Sequence, residues 1–222
     1  MDNKIVVTND GSHSIFNAEI NECYHSKHGA IVEAEHVFIR NGFSAANKSK
    51  LNILEVGFGT GLNALLTYQK AVQKSIEVNY QTMELFPVKE EQYIQLNFAD
   101  LIGLEKKELL ILHSCAWEAT KKISPYFTLT KKHTSLEKYN SKITFDIIYF
   151  DAFSPEKQPE LWNESIFRKM HGFLKDEGFL VTYCAKGAVK RTMKTVGFEV
   201  LVLDGPPGKR QMTRGNKSVI EK

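Results

Sequence analysis

Hydrophobic positions along this chain change period repeatedly, and the changes divide it into short alternating segments. Leu51–Val56 (LNILEV) is an apolar-rich run that stops at glycines, as a buried strand does. Leu62–Lys74 reads as a helix and Ile76–Glu84 as a second strand. Pro87 sits where a helix running to about Asn97 would begin. Lys106–Ala119 is a further helical stretch, and Phe127–Lys132 reads as a third strand. Phe145–Phe150 (FDIIYF) is a clear β-rich run that ends at Asp151. Beyond it the pattern predicts a helix over Pro159–Leu174, a strand over Gly178–Cys184, a helix over Lys186–Val196 and a strand over Phe198–Leu203. A last edge strand is expected over Lys217–Glu221. Ahead of Leu51, the residues Ile31, Ala34, Val37 and Phe38 follow helical spacing, with Gly42 where that helix should stop.

Strands alternating with helices imply an α/β fold, a mostly parallel, doubly wound sheet covered on both faces. Two linker-like stretches, Ala45–Lys50 and Gly205–Asn216, interrupt the pattern. The first divides a small N-terminal extension, residues 1–48, from an α/β body, residues 49–222. The second reads as a Gly/Pro/basic loop inside the body.

Composition narrows the context. A length of 222 residues suits one sizeable core, and 42% hydrophobic with 25% charged residues is ordinary for a globular protein. The N-terminus lacks a signal-peptide pattern, and no apolar run reaches the roughly 18 residues of a membrane span. Cys23, Cys115 and Cys184 fit no metal spacing, and His25 and His28 have no third ligand nearby and read as a surface pair. The expectation is a cytoplasmic protein with no metal and no membrane contact. Charge is uneven: residues 186–222 hold nine basic and three acidic residues, a net +6, so the rest of a +3 chain carries −3. Either a polyanion partner or a solvated basic surface accounts for this. Lys186, Lys190 and Lys194 recur every four residues and so share one helix face.

Candidate chemistry concentrates at the predicted strand ends, where open parallel sheets bind ligands. Gly57, Gly59 and Gly61 follow the first body strand with G-x-G-x-G spacing, which differs from the dinucleotide G-x-G-x-x-G and lacks the Lys-Ser/Thr of a phosphate loop. Glu84 ends the second strand some 20 residues on, where a carboxylate accepts hydrogen bonds from ribose hydroxyls. Asp151-Ala152-Phe153-Ser154-Pro155 follows FDIIYF and so falls at the same edge. There Asp151 could take a proton from an amine or hold the amine by hydrogen bonds; the lesser alternative is a helix N-cap or turn former. Phe153 and Trp162 could stack on a planar base, and Trp162 could equally be a core aromatic. Asp146, inside the strand, reads as structural.

The string Glu55-x-Gly57-x-Gly59-x-Gly61 resembles the first motif of class I S-adenosylmethionine methyltransferases, whose fold is Rossmann-like. Further anchors are Tyr24–Ile39 (YHSKHGAIVEAEHVFI), FGTGLN through Asn63, Glu84–Pro87 (ELFP), Asp151–Pro155 (DAFSP) with Pro159–Trp162 (PELW), and Gly205–Met212 (GPPGKRQM). With these, nearly the whole chain resembles the tRNA 5-methylaminomethyl-2-thiouridine biosynthesis methyltransferases. That resemblance implies S-adenosyl-L-methionine as cofactor and tRNA as partner, with methylation of the exocyclic amine of wobble 5-aminomethyl-(2-thio)uridine. It implies that Gly57, Phe58, Gly59, Thr60, Gly61 and Asn63 line the cofactor and that Glu84 holds its ribose. Tyr24, Ser26 and Glu33 would close over the site, and Asp151 would meet the acceptor amine. Phe153, Pro155 and Trp162 would border the substrate, while Lys209 and Arg210 would face the tRNA. Relatives often carry an acid near the end of the third or fourth strand for the adenine; here that region reads Lys132-His133-Thr134-Ser135. Bifunctional members continue into a flavin-dependent oxidase, and this chain stops at Lys222, which implies an aminomethyl substrate supplied by another route. The rival readings are a small-molecule amine or polyamine methyl- or aminopropyl-transferase and a non-catalytic RNA-binding module.

Overall fold

The computed structural model describes residues 3–218. It opens with a small antiparallel sheet of β1 (Lys4–Val7), β2 (His13–Asn17) and β3 (Glu22–Cys23). Helix α1 (Ala30–Ala34) follows and widens into a π-helical turn over Glu35–Arg40. Asp10, in the β1–β2 turn, accepts hydrogen bonds from Ser12 N (3.0 Å) and Val32 N (3.0 Å), tying the small sheet to α1.

The body then runs β4 (Lys50–Val56), α2 (Leu62–Lys74), β5 (Glu77–Glu84), the single turns α3 (Glu90–Tyr93) and α4 (Phe98–Leu101), and α5 (Lys106–Ser114). It continues with β6 (Thr120–Ser124), β7 (Phe127–His133), β8 (Phe145–Phe150), α6 (Glu164–Phe173), β9 (Leu174–Thr182), α7 (Gly187–Thr195), β10 (Phe198–Asp204) and β11 (Gln211–Lys217). These eight strands form one sheet in the order β10-β11-β9-β8-β4-β5-β7-β6. The five central strands are parallel, while β6, β10 and β11 pair antiparallel at the two flanks.

Period-two alternation in the central strands builds two cores. Leu51 and Ile53 of β4 and Ile147 and Tyr149 of β8 face α2 and the α1 segment. Leu54 and Val56, with Ile148 and Phe150, face α6 and α7. All six residues of β8 are buried, which explains why FDIIYF has no polar face. On α6 the buried residues Ile166, Phe167, Met170 and Phe173 follow a helical stripe, and the Asn163 side chain caps the helix by accepting from Ile166 N at 3.1 Å. The doubly wound α/β expectation therefore holds, and α2 falls on its predicted residues.

Several boundaries differ, each for a local reason. The helix expected over 87–97 is reduced to the single turn α3, because the chain tightens after Tyr93 into three-residue turns (Gln95 N to Gln92 O, Leu96 N to Tyr93 O); the Asn97 side chain then ties the segment to His13 N (2.8 Å) and Gly11 O (3.0 Å). The helix from Lys106 stops at Ser114, and the chain turns through Glu118 at positive φ into β6, a strand the pattern did not announce. The 159–174 helix is split at the Asn163 cap. The linker assigned to 205–216 is a loop only to residue 210. Its remainder pairs with β9 and β10 as β11, and Gly215 is a glycine that marks close packing rather than a loop, since a side chain there would strike Met193 and Phe198. The edge strand expected over 217–221 lies mostly outside the described residues, and β11 is an inner strand between β9 and β10. The three N-terminal strands were not anticipated either; they are short and mostly half-exposed.

Asp146 fastens three strands at the end of the sheet remote from the glycines. Its side chain is 3% exposed and accepts from Asn52 N (2.8 Å), Lys48 Nζ (2.8 Å) and Lys175 Nζ (2.7 Å). Burial pushes its carboxyl up, but these hydrogen bonds outweigh it and hold the group below the usual aspartate range. Because the folded value is depressed, this stabilisation is present near neutral pH and is lost as pH falls below about 4. Asp146→Ala should cost about 2 kcal/mol in urea denaturation, at the low end because both lysines remain hydrated. An unchanged midpoint at pH 7 would show that the clasp contributes nothing.

Candidate active site

The chain diverges at the carboxyl end of β4: β5 and β7 lie to one side of it, β8 and β9 to the other. Such a switch point leaves a crevice. Here it opens into a cleft of about 1450 Å³. Its floor is the turn after β4, where Gly57 N and Phe58 N both donate to Met83 O at 3.1 Å. Gly57 has φ 89°, and a Cβ there would lie 2.8 Å from Asp151 O, so only glycine permits the β4 and β8 loops to approach. Gly59 has φ 49°, and its missing side chain makes room for the Tyr24 ring.

Glu84 closes one side. Its carboxylate accepts from Gly59 N (3.0 Å) and Phe86 N (2.9 Å), locking the β5 end to the glycine turn. Burial pushes its carboxyl up, against the pull of these backbone donors. Asp151 occupies the other side, its backbone N donating to Val56 O at 3.1 Å and its Oδ2 accepting from Asn63 Nδ2 at 2.7 Å. The cleft reaches part of this residue, yet burial pushes its carboxyl up to about 7; the Asn63 hydrogen bond opposes that rise and Glu33 adds to it.

The N-terminal segment forms the opposite wall. His25 Nε2 and Thr60 Oγ1 share a hydrogen bond of 2.6 Å, and Tyr24 packs edge-on against Phe153 at 5.0 Å. Glu22 accepts from Ser154 Oγ at 3.0 Å. Glu33 accepts from Ser26 N at 3.1 Å and forms an ion pair with Lys209. His25 is thus no surface histidine: burial holds its imidazole down to about 4 and neutral. On the far side of the turn His113 Nε2 donates to Thr60 O at 2.9 Å, and burial likewise holds it down to about 4.

Of the residues singled out from sequence, Gly57, Phe58, Gly59, Thr60, Asn63, Glu84, Asp151 and Phe153 border this cleft. So do Tyr24, Ser26, Glu33 and Lys209. Gly61, Pro155, Trp162 and Arg210 do not. Gly61 turns the chain into α2, and a Cβ there would press on His113. Trp162, offered as a base-stacking residue, is 6% exposed among Phe150, Phe167 and Tyr183. Its Nε1 donates to Phe153 O at 2.8 Å, so it supports the loop from below. Lys209 was expected to face a polyanion but turns inward, onto Glu33 and over the Tyr183 ring at 4.0 Å. Pro155 is half-buried away from the cleft, and Arg210 is exposed on the loop. In the 132–135 region Thr134 and Ser135 border the cleft, while His133 N donates to Glu118.

Sequence reading gave no role to Glu22, His25, His113, Lys131 or Tyr183. Lys131 had one usable signal, its parity with Phe127 and Leu129. It is 1% exposed beneath Phe58 and Trp117, and burial holds its ammonium down to about 8. The other four become visible only when distant loops meet. Among the described residues there is no group of three metal-ligating side chains and no helix long and apolar enough to cross a membrane.

Residues 126–218 match the family described as S-adenosyl-L-methionine-dependent methyltransferase. The tRNA 5-methylaminomethyl-2-thiouridine biosynthesis bifunctional protein MnmC of Cupriavidus metallidurans is 30% identical over 227 residues, covering 94% of this chain and 33% of that protein. The chain spans about a third of the length of the curated relatives it matches. Among solved structures, MNMC2 from Aquifex aeolicus superposes with a TM-score of 0.79 at 24% identity, over 99% of this chain and 73% of that one. Spermidine synthase from Thermotoga maritima superposes with a TM-score of 0.54 at 13% identity, over 97% and 72%. Both likenesses show the same fold, a doubly wound, mostly parallel α/β sheet.

The Asp151 carboxyl has a stability signature. Its folded value, about 7, lies above the 3.8 of a free side chain, so the stability it contributes is full at acid pH and is lost as pH rises from about 4 to about 7. Asp151→Asn removes that titration. The cofactor-free variant should therefore gain in Tm over the parent between pH 4.5 and pH 8. A difference that is the same at both pH values would mean that Asp151 is not perturbed.

Proposed function

Since the chain is a homologue of the MnmC proteins with the fold and family match of an S-adenosyl-L-methionine-dependent methyltransferase, we propose that it methylates the 5-aminomethyl group of wobble (2-thio)uridine in tRNA. The observation that carries this reading is the single cleft joining Glu84 and the glycine turn to Asp151. In this reading residues 1–48 are an extension packed over the active site and residues 49–222 are the methyltransferase domain, working in the cytoplasm.

The residues present fit the cofactor. Glu84 is a carboxylate with lone pairs beyond the two spent on Gly59 and Phe86, suited to the two hydroxyls of a ribose. The glycine turn exposes backbone where a side chain would fill the space, with Phe58, Thr60, Asn63, Tyr24 and Ser26 around it. When bound, the cofactor supplies a methyl group activated on a sulfonium. The remaining work falls to the chain: Asp151 orients the acceptor amine and takes a proton from it, since an ammonium has no lone pair to offer. A carboxyl near 7 exchanges protons readily at neutral pH. Phe153, held by Gln158 Oε1 at its N–H (3.0 Å) and by Trp162 at its carbonyl, would border the base.

The cleft itself is acid-rich, with eight Asp/Glu and three Lys along its walls, which suits a cationic amine. The polyanion would instead meet the outer basic surface. Lys186 is paired with Glu156 and Lys217 with Asp176, but among the described residues Lys190, Arg191, Lys194 and Arg210 form no ion pair. These four are the proposed phosphate contacts. The acid-rich cleft also favours a second reading, a small amine or polyamine as acceptor.

Incubation with the cofactor and aminomethyl-containing tRNA should yield methylaminomethyluridine by nucleoside mass spectrometry. Asp151→Ala should keep cofactor binding and lose about 100-fold or more in kcat. Cofactor binding without product would remove the tRNA assignment, and full turnover in the variant would remove Asp151 from the chemistry. The second reading is separated by salt. With tRNA as substrate, binding should weaken steeply with ionic strength, and reversing Lys190 and Arg210 to Glu should flatten that slope by roughly one per lost phosphate contact. Salt-independent binding would favour the small amine.

A further inference from the structure

A buried polar chain behind the glycine turn has no part in the function proposed so far. Glu55 of β4 is fully buried on the α2 face of the sheet, and neither carboxylate oxygen bonds to a protein group. Beside it stand Tyr80 and Thr82 of β5 and Asn63 of α2. Tyr80 OH, Thr82 Oγ1 and Asn63 Oδ1 are buried and equally without a protein partner. Only the other end of Asn63 is engaged, its Nδ2 donating to Asp151 Oδ2 at 2.7 Å.

An ionised Glu55 has acceptors only. It would take bonds from Tyr80 and Thr82 and leave Asn63 Oδ1, itself an acceptor, with nothing to receive. A neutral Glu55 completes the set with one proton. We propose that Glu55 is a positioning residue held as the neutral acid: it accepts from Tyr80 and Thr82 and donates to Asn63 Oδ1, fixing the Asn63 amide with its NH2 toward Asp151. Burial works in the same direction and the nearby Asp151 charge adds to it, pushing the Glu55 carboxyl well above the usual glutamate range against the pull of Thr82, Tyr80 and Asn63. The inference rests on Asp151 being the acid that meets the acceptor amine. With the amide fixed, one oxygen of Asp151 has a permanent donor and the other is left for the substrate. A reversed amide would set its oxygen against the carboxylate. The other groups that set the charge at Asp151 are Glu33 from α1, Lys209 from the β10–β11 loop and Tyr183 beyond β9.

The test is a carboxyl carbon NMR titration of Asp151 in cofactor-free, aspartate-labelled protein, assigned with Asp151→Asn. Glu55→Gln carries an amide that donates as the acid does, so the Asp151 midpoint should stay where it is in the parent. Glu55→Met frees the Asn63 amide and should raise the midpoint by roughly one unit. A fall in Glu55→Gln would mean that an ionised Glu55 had been repelling Asp151, and would overturn the proposal. So would a rise in Glu55→Gln, or a parental midpoint in Glu55→Met. If Glu55→Met does not fold, the Glu55→Gln titration decides alone, an unchanged midpoint supporting the proposal and a shift of either sign ending it. Methyl transfer to aminomethyl tRNA, assayed in parallel on the parent, tests the activity separately, because the titration needs no turnover.

Discussion

The close approach of the β4 and β8 loops is the constraint on which the site depends. Val56 O receives Asp151 N, and Gly57 lies so near the Asp151 carbonyl that any side chain would push the two apart. Because β4 and β8 are parallel neighbours, their ends emerge at one edge and their loops must leave in different directions. That geometry sets Asp151 beside the turn that carries Gly59 and, through it, Glu84. Two carboxylates from strands on opposite sides of β4 thus share one cleft without contact between them.

The N-terminal segment gives that cleft its second wall, and it is anchored at three places. His25 meets the glycine turn at Thr60, Glu22 and Tyr24 meet the Asp151 loop, and Glu33 meets Lys209 on the β10–β11 loop. Each anchor joins residues more than 30 positions apart, so each is a tertiary contact that no local pattern announces. The turn is braced from behind as well, since His113 bonds to the carbonyl of the same Thr60 whose hydroxyl meets His25. Neutral imidazoles suit these positions, because an added charge on either ring would be buried.

How much could be read in advance follows from where the information lies. Strands β4, β5 and β8 and helix α2 were legible because each carries its period within a few residues. The ligand edge was legible because glycine spacing and the acid at the end of β5 are local patterns. Trp162 stayed open between base and core, and Lys209 was misplaced, for the opposite reason: nothing within PELW or GPPGKR tells an aromatic that supports a loop from one that lines it, or a lysine that folds inward from one that faces solvent. His25 lay in a motif whose outward signal was only its spacing to His28, and its partner Thr60 is 35 residues away. Asn97 shows the same limit, since the partners of its side chain lie more than 80 residues away at residues 11–13.

The division of charge carries the last step. A chain with a net charge of +3 has walled its cleft with eight acids and three lysines, while among the described residues Lys190, Arg191, Lys194 and Arg210 stand outside it without an ion pair. Lys209, the C-terminal lysine that reaches the cleft among the described residues, is spent on Glu33. For the proposed substrate the two signs act on different parts of one molecule. Phosphates are attracted to the outer surface and repelled from the cleft mouth, while a cationic aminomethyl group is attracted into it. A wobble nucleotide displaced from its neighbours presents both at once: its backbone can stay on the basic face as its base turns inward. A free polyamine has only the cation and would gain nothing from the basic face. The acid-rich cleft alone therefore does not choose between the two substrates; the cleft and the basic surface together favour the nucleic acid.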